Sequence, residues 1–154
     1  MKNLLILLMV LFVTACGRNQ VQGIDSSHMN IPAEMRNDFE YFLEVCSEYP
    51  EFRGSCVYVT RIVSSVTYTN YEEGSHVIGT CYKFSDGDKS ITISEEYYKT
   101  ANPTDRRQLL VHELLHCVSS IGHTNETKLM SPWHQTSTFS EIDTELRFIF
   151  NRGF

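Results

Sequence analysis

The apolar positions of the chain fall into three helical stripes, a strand-rich middle and one unbroken run at the amino end. Met35, Phe39, Phe42, Leu43 and Cys46 recur at helical spacing, which predicts a helix over about 32–48 with one face on a core. Asn30-Ile31-Pro32 reads as its cap followed by an early proline, and Pro50 and Gly54 end it. From Cys56 to Tyr68 the residues are largely β-branched and aromatic, including Val57, Val59, Ile62, Val63 and Val66, so one long strand or a strand pair is expected. Asn70 to Ser75 is turn-like and His76 to Phe84 reads as another strand. Ser85-Asp86-Gly87-Asp88 then makes a hairpin turn, and Ser90-Ile91-Thr92-Ile93-Ser94 alternates as a half-buried strand does. Asp86 and Asp88 are explained by turn chemistry rather than by a calcium site, which needs many more oxygen ligands.

A second helix opens at Asn102-Pro103-Thr104-Asp105, with Asn102 or Thr104 as its cap and Asp105 at the positive end of its dipole. It carries Leu109, Leu110, Val111, Leu114, Leu115, Val118 and Ile121 and should run to about Ile121, stopping at Gly122. Thr124 to Thr138 is rich in turn formers; Ser140-Glu141-Ile142-Asp143 opens a last helix with Ile142, Leu146, Ile149 and Phe150 on one face. The expected class is α+β: one small domain with a twisted, mostly antiparallel or mixed sheet, a buried central helix and a C-terminal helix.

The amino end changes the picture. Met1-Lys2-Asn3 carries positive charge, and Leu4 to Val13 is apolar throughout. That run is far below the roughly 20 residues that span a bilayer, so it reads as an export signal over residues 1–15. Val13-Thr14-Ala15-Cys16 resembles the lipobox of bacterial lipoproteins, which implies that cleavage leaves Cys16 as a lipidated amino terminus; ordinary cleavage after Ala15 is the alternative. Gly17 after that cysteine is compatible, in such lipoproteins, with transport to an outer membrane. Residues 16–30 are polar and read as a lipidated Cys and tether of about 20 Å reach, leaving 31–154 as the folded domain.

Five cysteines are odd for an exported protein, and lipidation of Cys16 leaves Cys46, Cys56, Cys81 and Cys117 as an even set. Of their three pairings, Cys46 with Cys56 and Cys81 with Cys117 is preferred, because it closes a short loop and ties a strand to the second helix. A net charge of −6 argues against nucleic acid and polybasic membrane-surface binding.

The candidate chemistry lies on the second helix, in His112-Glu113-Leu114-Leu115-His116. Positions i and i+4 share a helix face, so the two imidazoles can close on one metal ion, and a helix pressed into a core gives them reason to. Glu113 beside them is placed to take a proton from a water that the metal activates. His28 and His76 stand apart from this cluster and read as surface or strand residues.

Together with Gly122-His123 and Met130 in Leu129-Met130-Ser131-Pro132, this stretch resembles the metzincin clan of zinc peptidases, over roughly residues 90–133. The resemblance implies a zincin-like fold, Zn²⁺ on His112, His116 and His123, Glu113 as general base, a Met-turn at Met130, and a peptide substrate paired to Ser90–Ser94 as an edge strand. The sequence departs from the clan's H-E-x-x-H-x-x-G-x-x-H in two ways: Ser119 replaces the first glycine, and the third histidine comes one residue late. Gly122 is then expected to turn the chain, with the helix almost a turn longer. A carboxylate from the last helix, Glu141 or Glu145, is the competing third ligand, as in thermolysin-like gluzincins; His134 is a further candidate, and Asp25 or His28 could reach the metal from the tether.

The function expected is a zinc metalloendopeptidase anchored to the bacterial envelope, acting on protein or peptide. The alternative is a non-catalytic envelope lipoprotein that uses zinc as a structural tie or serves as an interaction module, including an inactive descendant of such enzymes. Glu113 discriminates, because a closed structural site has no use for a base beside its histidines. Substrate sequence and oligomeric state are not legible.

Overall fold

The computed structural model describes residues 26–49, 59, 63–71, 76–119, 121–133 and 135–152. The export signal, Cys16, the first part of the tether, Pro50, Gly54, Cys56 and His134 lie outside the described residues. In chain order the elements are α1 (Ala33–Ser47), β1 (Val63–Thr69), β2 (Gly79–Lys83), β3 (Lys89–Ser94), α2 (Glu95–Thr100), α3 (Pro103–Ser119) and α4 (Phe139–Arg152). The described residues form an α+β domain with a mixed three-stranded sheet. No helix among the described residues is long and apolar enough to cross a membrane.

The helical stripes land on the core. Met35, Phe39, Phe42, Leu43 and Cys46 of α1 are buried, as are Ile142, Leu146, Ile149 and Phe150 of α4. Phe150 lies 5.9 Å from the ring of Phe42 and 5.4 Å from that of Tyr49, so the two ends of the domain meet. Helix α3 packs between α1 and the sheet, burying Leu110, Val111, Leu114 and Leu115. Arg107 joins the three helices: its guanidinium pairs with Asp38 at 2.7 Å and stacks on Tyr41 and Phe139 at 4.5 and 4.4 Å.

Strand order is β1-β3-β2, with β1 parallel and β2 antiparallel to β3. Ser90–Ser94, expected at the edge, is therefore the central strand, and the edge beside α3 is β2. Alternation alone did not reveal this: Ile91 and Ile93 face the core in either position. The β2–β3 turn is made as expected, with Gly87 at φ 95° and Asp88 N–H donating to Asp86 Oδ1 at 3.0 Å.

Other boundaries move. Val59, inside the stretch read as strand, is helical and fully buried, and the strand starts at Val63. A β-branched residue fits a buried helix when tertiary packing outweighs propensity. His76–Ile78 is irregular, though Ile78 C=O still accepts from Ser94 N–H at 2.8 Å, so β2 begins at Gly79. Asn30 does not cap α1; it bridges to Ser65 of β1, and the cap position is Pro32. The unexpected helix α2 is started by Ser94, whose Oγ accepts Tyr97 N–H, with Glu95 and Glu96 in its first turn.

Candidate active site

Helix α3 is set by a reciprocal cap. Asn102 Oδ1 accepts Asp105 N–H at 3.0 Å while its amide donates to Asp105 Oδ2 at 2.8 Å. From that start His112 and His116 fall on one face, and their Nε2 atoms lie 2.9 Å apart. His123 joins them from the segment after the helix, its ring centroid 5.2 Å from that of His112 and 4.8 Å from that of His116. One nitrogen from each of the three lies within 4.8 Å of the others.

Backbone carbonyls decide which nitrogens face inward. His112 Nδ1 donates to Leu129 C=O and His116 Nδ1 to Ile121 C=O, each at 2.6 Å. A carbonyl only accepts, so both rings carry their proton on Nδ1 and present an Nε2 lone pair. Two such lone pairs at 2.9 Å repel unless a cation stands between them, so the donor set suits a metal ion. Burial chiefly holds His116 below the ordinary imidazole pKa, which keeps it neutral as a ligand must be.

The turn that brings His123 back is made where the helix stops, at Ser119, two residues short of the expected end. Ser119 Oγ donates to Leu115 C=O at 2.6 Å and accepts Ile121 N–H at 3.3 Å. A hydroxyl thus closes the helix end that glycine closes by conformation in the metzincin pattern. Gly122 does not adopt a positive φ; among the described glycines only Gly87 does.

Glu113 is 4% exposed and points at the edge strand. Burial pushes its carboxyl up to about 8, against a hydrogen bond from Cys81 N–H that favours the charged form. Gly79 of β2 is the residue that admits it: a Cβ there would meet Glu113 Oε1 at 2.6 Å, Cγ at 2.8 Å and Cδ at 2.9 Å. Cys81 and Cys117 are disulfide-bonded, fastening β2 to α3 beside this contact, and Lys89 Nζ donates to Cys117 C=O. Cys46 is also disulfide-bonded, to a partner outside the described residues.

A cleft of about 470 Å³ opens over His112, Glu113 and His123. Val77, Ile78, Leu109, Leu129, Pro132 and Trp133 give it apolar walls, and Trp133 is 71% exposed at its mouth. Gln108 also lines it; its amide nitrogen donates to Lys128 C=O at 3.5 Å, and its Oε1 is buried with no hydrogen-bond partner among the described residues. A smaller cavity, lined by Gly79, Cys81, Lys83, His116 and Ile121, continues on the other side of Glu113 and His123.

The remaining candidates are placed elsewhere. Met130 is fully buried, directly after Leu129, whose carbonyl holds His112. Glu141 bonds Lys128 Nζ at 2.9 Å and Thr138 N–H at 2.7 Å, and Glu145 bonds Lys128 N–H at 3.2 Å and Leu129 N–H at 2.7 Å. His76 is exposed at the rim of the larger cleft, and His28 is exposed outside it. The sequence carried no signal for the two carbonyls, since every residue has one, nor for Gly79.

Residues 52–142, well over half of the 154-residue chain, match the family described as "Putative phage metallopeptidase". The chain belongs to this phage metallopeptidase family. No curated protein and no solved structure matches it. Membership and the three-histidine cluster together make a metal-dependent peptidase of it, with the helix carrying His112 to His116 inside the matched stretch.

For a phage metallopeptidase built this way, Gly79→Ala is expected to fold and keep its metal while peptide hydrolysis falls about 10²-fold. The buried Glu113 side chain must yield to the new methyl, and a displacement near 1 Å suffices for such a loss. Parallel measurement of metal content and kcat/KM checks this; unchanged kcat/KM would show that the Gly79–Glu113 contact does not matter to hydrolysis.

Proposed function

We propose that this metallopeptidase is a zinc-dependent endopeptidase of metzincin type, exported and held at the bacterial envelope by lipid on Cys16. The observation that carries the catalytic part is the convergence of His112, His116 and His123 beside a buried Glu113 at the floor of a cleft. Three neutral imidazoles suit zinc and leave a position open, and among the described residues no fourth His, Cys, Asp or Glu joins the cluster. Zinc there would polarise the substrate carbonyl and acidify water.

The chain's own residues supply the remainder. Leu129 and Ile121 carbonyls hold the imidazoles in the ligating tautomer. Glu113 takes the proton of the attacking water and delivers it to the leaving amine; its carboxyl, raised by burial, would be drawn back toward the charged form beside a bound cation. The exposed edge β2, rather than Ser90–Ser94, offers an extended peptide its backbone groups beside Glu113, and the apolar walls favour an apolar side chain next to the scissile bond. Burial of Met130 behind the Leu129–His112 contact supports the Met-turn reading; the occupied oxygens of Glu141 favour His123 as third ligand. We assign residues 1–15 to the export signal, Cys16 to lipidation and 16–30 to the tether, with peptide and membrane as partners and no nucleic acid.

Zinc content of the full chain tests the centre. Wild type and Glu141→Ala are expected to hold about one zinc per chain, and His123→Ala to lose it or bind it far more weakly. Loss with Glu141→Ala and retention with His123→Ala would make the site gluzincin-like. A wild type that takes up no offered zinc would overturn the enzyme reading in favour of a binding module.

A further inference from the structure

The two acids of α4 that could have ligated the metal grip a loop instead, and one of them grips the piece of backbone that orients His112. Glu145 accepts Lys128 N–H on one oxygen, at 3.2 Å, and Leu129 N–H on the other, at 2.7 Å. The Leu129 carbonyl in turn accepts His112 Nδ1–H at 2.6 Å. The loop is tied from within by Thr124 N–H to Met130 C=O at 2.8 Å and Met130 N–H to Thr127 Oγ1 at 3.2 Å. Leu129 is 1% exposed, so its N–H has little recourse to water if the carboxylate is removed.

We propose that Glu145 is a positioning residue for the metal centre: by clamping the amides of Lys128 and Leu129 it holds the Leu129 carbonyl where it fixes the tautomer and ring orientation of His112. This rests on His112 being a metal ligand. A ligating histidine ordinarily gives its second N–H to a carboxylate or carbonyl, and that partner governs affinity. Here the carboxylate acts one step further out, through the backbone. Glu141 does not share the role, since its oxygens go to the Lys128 side chain and to the Thr138 cap of its own helix.

The test uses the full chain with its disulfides formed, as wild type, Glu145→Ala, Glu145→Gln and, as a control in the same helix whose ring packs on Phe42 and Tyr49, Phe150→Leu. Zinc affinity is read by chelator competition, and the His112 tautomer by nitrogen NMR of the imidazole in metal-free protein. Both Glu145 variants are expected to weaken zinc by about 10-fold or more and to turn the single Nδ1–H form of His112 into a tautomer mixture, while Phe150→Leu changes neither. Zinc binding within about twofold of wild type, an unchanged tautomer, or an equal loss in Phe150→Leu would each overturn the proposal. Should Glu145→Ala fail to fold, Glu145→Gln decides alone. If wild type binds no zinc, the metal reading has failed, and the tautomer decides the clamp: a mixture in the variants supports it and no change overturns it.

Discussion

Glu113→Gln is expected to retain the metal and lose peptide hydrolysis by a factor of about 10² to 10⁴, the usual worth of a positioned general base. The substitution keeps the shape of a side chain that is 4% exposed and hemmed in by Gly79, and an amide oxygen can still accept from Cys81 N–H. Burial already disfavours the charged carboxylate, so a neutral amide costs the fold little. What it cannot do is take a proton. Because the histidines and their carbonyl partners are untouched, a metal assay and a turnover assay should part company. Retained turnover would remove Glu113 from the chemistry, and loss of the metal along with turnover would make it part of the metal's support instead.

The second large effect is expected from the bond between Cys81 and Cys117. These cysteines are 36 residues apart in sequence. Cross-linking a loop of that size restricts the unfolded chain by about 4 kcal/mol in the chain-entropy treatment, which is a large share of the roughly 5–15 kcal/mol that stabilises an ordinary domain. Cys81→Ser with Cys117→Ser is therefore expected to lower the urea midpoint sharply. The local consequence follows: β2 is an edge strand whose Gly79 and Cys81 both face Glu113, and the bond is the covalent tie that fastens it to α3 there. A midpoint that moves by less than the equivalent of about 1 kcal/mol would show that packing alone holds β2.

How far the sequence could be read depends on which physical signal carried each feature. The faces of α1 and α4 were legible because five and four large apolar residues repeat at helical spacing, and the same residues are buried. The Asp86–Gly87 turn was legible from local chemistry, and the tie between Cys81 and Cys117 from the need to fasten a strand to a helix. Strand order was not, because the alternation of Ile91 and Ile93 says which side of a sheet a strand buries and nothing about its neighbours. Nor was the end of α3: the expectation looked for a glycine to turn the backbone, and Ser119 makes the turn with its hydroxyl. At the site, the histidine spacing was visible in the sequence, whereas the carbonyls of Leu129 and Ile121, the room at Gly79 and the grip of Glu145 exist only once distant segments are folded together.

The meeting of α1 and α4 bears on where this protein can be cut. The stretch shared with the family runs from residue 52 to 142, so it leaves out all of α1 and most of α4. Trimmed to those limits, a fragment would keep every histidine of the cluster and yet bare the side of α3 on which α1 packs, lose the buried Phe39, Phe42, Leu146 and Phe150, and lack Glu145. The recognisable signature and the smallest piece able to stand alone are thus different objects, and only the second would be worth expressing.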